Sequence, residues 1–100
     1  MNEKMRDEKT DRLFRGILSL KTVDECYDFF DDLCTVSEIR EMSRRFLAAK
    51  LLNENAVYTD IVERTGLSSA TISRVNRCLK YGADGYVTVL SRMKDEEDNA

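Results

Sequence analysis

The 100-residue chain contains no proline, no histidine and only four glycines. Without proline, no residue type forces a break inside a helix, so caps and glycines must mark the helix ends. Without histidine the chain lacks the commonest general base, and no serine or cysteine has a recognisable activating partner, so we do not expect an enzyme. The glycines are dispersed or stand at turns, which excludes a glycine-rich phosphate loop.

The sequence also lacks the patterns of metal sites, disulfide frameworks and membrane proteins. Its three cysteines, Cys26, Cys34 and Cys78, are too far apart for a zinc knuckle, so we expect reduced packing residues, no metal and no cofactor. No segment approaches the roughly 20 apolar residues that cross a bilayer. The N-terminal segment MNEKMRDEKTDR has no apolar core for a signal peptide. These absences predict a cytoplasmic protein without a membrane partner.

What remains is typical of one small helical domain, with 42% hydrophobic and 35% charged residues. Apolar residues recur at helical spacing, and the segments TVDE from Thr22 and TVSE from Thr35 have the form of capping boxes. We predict an all-α fold of six helices. Dimerisation helices occupy 7–53, a helix-turn-helix 57–80 and a C-terminal helix 84–94, followed by an acidic tail at 95–100.

The first three predicted helices carry a heavy apolar load for a monomer this small, which can bury only part of its surface. Their inward positions include Phe14, Ile17, Leu18, Val23, Phe29, Phe30, Leu33, Met42 and Phe46. We therefore expect two copies to intertwine as a homodimer. Such a dimer would present two recognition helices to successive major grooves about 34 Å apart.

Residues 58–80, YTDIVERTGLSSATISRVNRCLK, have the pattern of a helix-turn-helix. Gly66 provides the small turn residue that two helices crossing at a steep angle need. Apolar residues at helical spacing on either side predict an inner seam of Ile61, Val62, Leu67, Ile72 and Val75. This motif favours double-stranded DNA as the partner.

The second helix of this motif should begin at about Ser69, with Ser68 as its N-cap. Its outward side then carries Ser69, Ala70, Ser73, Arg74 and Arg77. Small side chains near the N-terminus permit close approach to a major groove, and the later arginines can reach phosphates or bases. We expect the stretch from Ser68 through Thr71 to Ser73 to read sequence, and the cations to supply phosphate attraction.

Charge is segregated along the chain although the net charge is only −3. Residues 64–81 contain Arg64, Arg74, Arg77 and Lys80 and no acidic residue, whereas residues 22–39 contain six acidic residues and no basic one. Such segregation would orient the molecule on a polyanion. The alternative is a non-enzymatic helical dimer that binds another protein, through the acidic helix around Asp24 to Asp32.

Residues 44–79 resemble the Trp repressor family without a gap, through LL at Leu51 and Leu52, the glycine at Gly66 and ATISR at 70–74. The chain looks most similar to the YerC/YecD-type branch of that family. The resemblance implies an all-helical, interlocked homodimer that regulates transcription. It also implies that Ser68, Ser69, Ala70 and Ser73 lie near base edges, with Thr59 or Val62 near the DNA backbone.

The resemblance further implies a site for a small effector. In tryptophan-responsive members two arginines sandwich the indole, and the matching positions here are Arg44 and Arg74. Val75 stands where those members have a glycine that leaves room for the ring, and Cys78 replaces a serine near the amino group. We therefore do not expect tryptophan to be the ligand.

Overall fold

The computed structural model describes residues 6–99, which form six α-helices and no strand. The helices are α1 (Glu8–Leu18), α2 (Val23–Leu33), α3 (Val36–Asn53), α4 (Tyr58–Thr65), α5 (Ser69–Tyr81) and α6 (Gly85–Asn99). The predicted all-α class with six helices is confirmed. No helix among these residues is both long and apolar enough to span a bilayer.

The largest boundary difference lies at the C-terminus, where α6 continues to Asn99. The sequence prediction ended this helix at residue 94 and placed an acidic tail at 95–100. No proline or glycine interrupts the segment DEEDN, and glutamate is a good helix former, so the helix continues through it. The last residue of the predicted tail, Ala100, lies outside the described residues.

Side-chain caps set the starts of the helices near the N-terminus. At α3, the Glu38 N–H donates to Thr35 Oγ1 over 3.1 Å, and the Thr35 N–H donates back to Glu38 Oε1 over 2.9 Å. This reciprocal pair is the predicted capping box. The bond from the Thr35 N–H also stabilises the ionised carboxylate and lowers the pKa of Glu38.

The second predicted capping box, at Thr22, is only half formed. Thr22 Oγ1 accepts from the Glu25 N–H over 3.0 Å, as expected for an N-cap. The Glu25 carboxylate, however, accepts from the N–H of Lys21, the residue before the cap, over 2.8 Å. The bond to Thr22 satisfies a donor that the first turn of α2 cannot pair internally. The bond from the Lys21 N–H ties the residue before the cap to the helix.

The helices fall into two compact units, Met1–Ile39 and Arg40–Ala100. Among the described residues of the first unit, 6–39, none is buried. Several positions predicted to point inward are instead open to solvent: Phe14 at 45%, Leu18 at 83%, Val23 at 72% and Leu33 at 48%. Their burial is not achieved within one chain, because two 11-residue helices have too little surface to enclose their own apolar sides.

The second unit contains the later part of α3 with α4, α5 and α6, arranged around one apolar cluster. The cluster consists of Ala48, Ala49, Leu51, Ile61, Leu67, Ile72, Val75, Leu79 and Leu90. Phe46 and Tyr86 pack against it with their ring centroids 6.4 Å apart. Every helix of the unit contributes to this core, which therefore fixes α4 and α5 on a common support.

Four of the five residues of the predicted seam, Ile61, Leu67, Ile72 and Val75, are buried as expected. The assignment of Val62 was wrong, since its side chain is 40% exposed. Neighbouring residues on an α-helix point about 100° apart, so Ile61 and Val62 cannot both face the same narrow seam. Met42 was also placed inward and is 45% exposed.

Candidate nucleic-acid interface

The turn between α4 and α5 is built on Gly66. This residue has a φ of 71°, in the left-handed region that favours glycine, and its N–H donates to the Val62 carbonyl oxygen over 2.8 Å. The chain leaves α4 at Thr65 and enters α5 at Ser69. The connection is therefore three residues long, as a helix-turn-helix requires.

The helix α5 packs against both α4 and α6 and buries one side. Its buried residues are Ile72, Val75 and Leu79, at intervals of three and four. The other side of α5 faces solvent and carries the exposed residues Ser69, Ala70, Ser73, Arg74, Arg77 and Lys80. The structure thus brings six of the predicted DNA-binding residues onto one helix with an open surface.

Two further predicted residues, Ser68 and Thr71, are engaged with each other at the start of α5. Ser68 Oγ accepts from the Thr71 N–H over 3.1 Å and donates to Thr71 Oγ1 over 3.0 Å. The Ser68 hydroxyl is therefore occupied in capping the helix. Thr71 uses its hydroxyl oxygen as the acceptor and retains its own O–H as a donor.

The cations of α5 stand three residues apart at Arg74, Arg77 and Lys80, and all are exposed. In the described part of the chain the ion pairs join Arg45 to Glu41 and Lys50 to Glu54, and neither involves α5. The first turn of α5 also contains no acidic residue, so its partial positive charge is not offset locally. This surface can attract phosphate groups without first breaking an internal ion pair.

The two predicted residues of α4, Thr59 and Val62, are both exposed. They stand three positions apart and therefore lie on one face of α4. Ile61 points the other way, into the core, at 0% exposure. The face with Thr59 and Val62 presents one hydroxyl and three methyl groups to an approaching ligand.

The four residues of the predicted effector pocket differ from one another in burial. Val75 belongs to the core at 3% exposure, whereas Arg44, Arg74 and Cys78 are exposed. One surface hollow of about 320 Å³ is lined by Leu51, Ala56, Asp60, Glu63 and Arg64. Another of about 280 Å³ lies between the end of α3 and α6. Neither hollow is lined by any of the four effector residues.

One residue at the turn was not singled out from the sequence. Thr65, the last residue of α4, is 5% exposed, and its hydroxyl donates to the Ile61 carbonyl oxygen over 2.7 Å. Thr65 Oγ1 also accepts a hydrogen bond from the Leu67 N–H over 3.1 Å. A threonine directly before the turn glycine is the only sequence signal of this arrangement.

Comparison with known proteins agrees with the resemblance seen in the residues. Residues 8–94 match the family described as Trp repressor protein. The uncharacterized protein YerC of Bacillus subtilis (strain 168) is 50% identical over 95 residues, which cover 95% of this chain and 91% of YerC.

Solved structures agree as well. The crystal structure of a TrpR-like protein from Eubacterium eligens ATCC 27750 superposes with a TM-score of 0.90 at 54% identity, covering 93% of this chain and 96% of that one. A Staphylococcus aureus crystal structure gives a TM-score of 0.88 at 48% identity, covering 92% of each chain. The chain belongs to the Trp repressor family.

Proposed function

We propose that this protein is a sequence-specific DNA-binding transcriptional regulator that acts in the cytoplasm as a homodimer through α4 and α5. The observation that carries the proposal is the exposed side of α5, with small residues near its N-terminus and cations further along. Membership of a family of regulators rather than enzymes supports the same conclusion. In the described residues, no group of three acidic or cysteine side chains is placed to hold a metal.

Affinity comes from the cations of α5 in this proposal. Arg74, Arg77 and Lys80 contact phosphates and displace the counterions condensed on the duplex. Each such contact adds about 0.9 to the slope of log affinity against log salt concentration. Binding should therefore weaken steeply as salt is raised, for every DNA sequence.

Sequence is read by the first two turns of α5. Ser69 and Ser73 present exposed hydroxyls and Ala70 a methyl group, all small enough to allow the helix to enter the major groove. Thr71 keeps a donor beside them, while Ser68 holds the helix start in place. Thr59 and Val62 on α4 contact the adjacent DNA backbone.

A second copy of the chain completes the reading surface. The first unit leaves Leu18, Val23, Tyr27 and Phe14 exposed, and a stable protein does not normally keep such a set of large apolar side chains in water. Their exposure supports an intertwined dimer, in which the same helices of another copy would cover these side chains. Its two α5 helices would then enter successive major grooves about 34 Å apart on a near-palindromic site.

Any effector of this regulator is expected to differ from tryptophan. The burial of Val75 in the core supports this, because its branched side chain occupies space within the packed cluster. With Arg44 and Arg74 both exposed, these arginines remain accessible to phosphates. Adding tryptophan should leave the melting temperature unchanged. A ligand that binds the folded protein would raise it, because at 100 times its dissociation constant it adds about 2.7 kcal/mol to the free energy of unfolding.

The test is selection of bound sequences from a random double-stranded DNA pool at about 150 mM salt, near physiological ionic strength. The proposal expects enrichment of a palindromic motif with half-sites about one helical turn apart. Arg77→Ala should then weaken binding to all sequences and lower the salt slope by about 0.9. Ser69→Ala should change which bases are preferred and leave the salt slope unchanged.

Arg45→Ala is the matched control, because it removes the same charge from an exposed arginine of α3 that is paired with Glu41. It should leave both affinity and salt slope close to those of the unaltered protein. Absence of any enriched motif with folded dimeric protein, or equal effects of Arg77→Ala and Arg45→Ala, would overturn the proposal.

A second candidate is an interaction module that binds a basic protein through α2. Its supporting observation is the set of exposed carboxylates on that helix, Asp24, Glu25, Asp28, Asp31 and Asp32. Such a module would lose its partner when Asp28 and Asp31 are replaced by asparagine and would be indifferent to Arg77→Ala. The DNA-binding regulator should show the opposite pattern.

A further inference from the structure

Thr65 is unusual in the second unit because it is a polar residue within an otherwise apolar core. The buried residues among those described are all apolar apart from this threonine, which is 5% exposed. Burying a hydroxyl without a partner is costly, so its hydrogen bonds decide whether the position is tolerated. Here both the donor and the acceptor function are used.

The two hydrogen bonds of Thr65 connect different parts of the motif. The hydroxyl donates to the carbonyl oxygen of Ile61, one turn back on α4, over 2.7 Å. Its oxygen accepts from the N–H of Leu67, beyond Gly66 and before α5, over 3.1 Å. A single side chain thus joins the last turn of α4 to the chain that leads into α5.

Leu67 anchors the turn between α4 and α5. Leu67 is 6% exposed and belongs to the same cluster as Ile61 and Ile72, so its backbone cannot move without repacking that cluster. Its N–H precedes the helix and points to Thr65 Oγ1. Removal of this acceptor would leave a buried donor without a partner and favour movement of the turn toward water.

We propose that Thr65 is a positioning residue of the DNA-reading motif, which sets the orientation of α5 relative to α4 through its hydrogen bond to Leu67. This inference rests on the proposed DNA-binding function. Thr65 itself is buried and does not touch DNA. It acts on sequence readout by placing Ser69, Ala70 and Ser73, and it makes little contribution to phosphate attraction.

Two substitutions separate the hydrogen bonds from the packing. Thr65→Val keeps the branched shape and removes both donor and acceptor, while Thr65→Ser keeps the hydroxyl and removes one methyl group. Leu90→Val is the control for stability, because it removes volume from the same core at α6, away from the turn. Each variant is assayed as the full chain at a temperature where it remains folded.

The readout is binding to the motif enriched from the random pool and to an unrelated duplex. Thr65→Val should lose about 10-fold in affinity for the motif, the size expected from loss of the hydrogen bond to the buried Leu67 N–H, with nonspecific affinity and salt slope unchanged. Thr65→Ser and Leu90→Val should stay within about 2-fold of the unaltered protein. An equal loss on both duplexes, equal behaviour of Thr65→Val and Leu90→Val, or no rescue by serine would overturn the proposal.

A DNA-free measurement distinguishes failure of this inference from failure of the proposed function. Residual dipolar couplings of backbone amides report the angle between α4 and α5, and hydrogen exchange reports protection of the Leu67 N–H. Thr65→Val should change the angle and speed the exchange, and Thr65→Ser should change neither. Unaltered couplings in Thr65→Val would overturn the proposal even if the protein binds DNA. Should Thr65→Val not fold, Thr65→Cys, which retains a weak donor and acceptor, should show a smaller change of the same sign.

Discussion

The helices of the two compact units are stabilised in different ways. In the first unit, residues 6–39 include no buried side chain, and the helices are defined by caps at Asp7, Thr22 and Thr35. In the second unit, four helices share one apolar cluster around the fully buried Ile61 and Ile72. Local hydrogen bonds therefore suffice to start a helix, but the placement of one helix against another depends on a shared core.

The two units also differ in the sign of their charged segments. The segment 22–39 of the first unit is acidic throughout, whereas residues 64–81 of the second carry only positive charges. The core lies beneath α5 and holds this helix in place, so the exposed side of α5 has a defined orientation. The first unit offers an exposed apolar side, which suits self-association better than recognition of a polyanion.

The largest expected effect is that of Ile72→Ala, which tests the role of the core. The Ile72 side chain extends from α5 into the apolar cluster and is fully buried. Truncating it removes apolar burial and leaves a cavity. We expect the free energy of unfolding to fall by about 2–5 kcal/mol, measured by urea denaturation. A loss below about 0.5 kcal/mol, the usual range for surface substitutions, would contradict the assignment of this core.

The next effect concerns the apolar side of the first unit. Leu18 is 83% exposed within one chain, so Leu18→Ala should be nearly neutral in a monomer. If a second copy covers it, the substitution should cost about 1.5–3 kcal/mol, and the urea midpoint of the unaltered protein should rise with protein concentration. A neutral result with an unchanged, concentration-independent midpoint would mean that no second copy covers this residue.

Thr22→Ala should produce a smaller loss, because it removes one cap and leaves the packing unchanged. Thr22 Oγ1 accepts from the Glu25 N–H at the start of α2. We expect a loss of about 1 kcal/mol in the free energy of unfolding, and Thr22→Ser should retain most of the stability. Equal losses for both variants would show that the hydroxyl is not the stabilising group.

The smallest effect is the pH dependence that arises from Glu38. Its pKa is lowered first by the bond from the Thr35 N–H and second by the Thr35 hydroxyl, so the folded state favours the ionised carboxylate. The stabilisation is present in full above the pKa of an unfolded glutamate, about 4.3, and is lost as pH falls through the lower folded value. NMR titration of the Glu38 carboxyl should show the lowered pKa. Thr35→Val removes the hydroxyl and should raise the pKa of Glu38. An ordinary pKa in the unaltered protein would contradict the capping box.

Helix types and most boundaries were predictable because their signals are local. The start of α2 was predictable from the capping pattern at Thr22, which does cap the helix that begins at Val23. The turn at Gly66 was predicted because two helices that cross at a steep angle need a small residue between them; the structure adds that its φ is positive. The end of α6 was missed because helix continuation through DEEDN depends on weak propensities and has no stop signal.

The exposed residues of the candidate site were less predictable than the motif that carries them. Val62 was assigned to two roles by its spacing and its family position, and only its exposure shows which side of α4 it occupies. Ser68 was expected both as the N-cap of α5 and among the reading residues, and its hydroxyl is bonded to Thr71 as a cap. These distinctions depend on side-chain direction and hydrogen-bond geometry, to which residue type and periodicity are only a partial guide.

The amino-acid sequence is enough to establish the helical class, the location of the helix-turn-helix, the separation of acidic and basic segments and the family resemblance. These properties follow from residue type and spacing along the chain, which act within one or two helical turns. Tertiary packing was needed to establish that Val62 is exposed, that residues 6–39 contain no buried side chain, and that Thr65 connects α4 to the turn. Those outcomes depend on contacts and hydrogen bonds that form only when the chain packs in three dimensions.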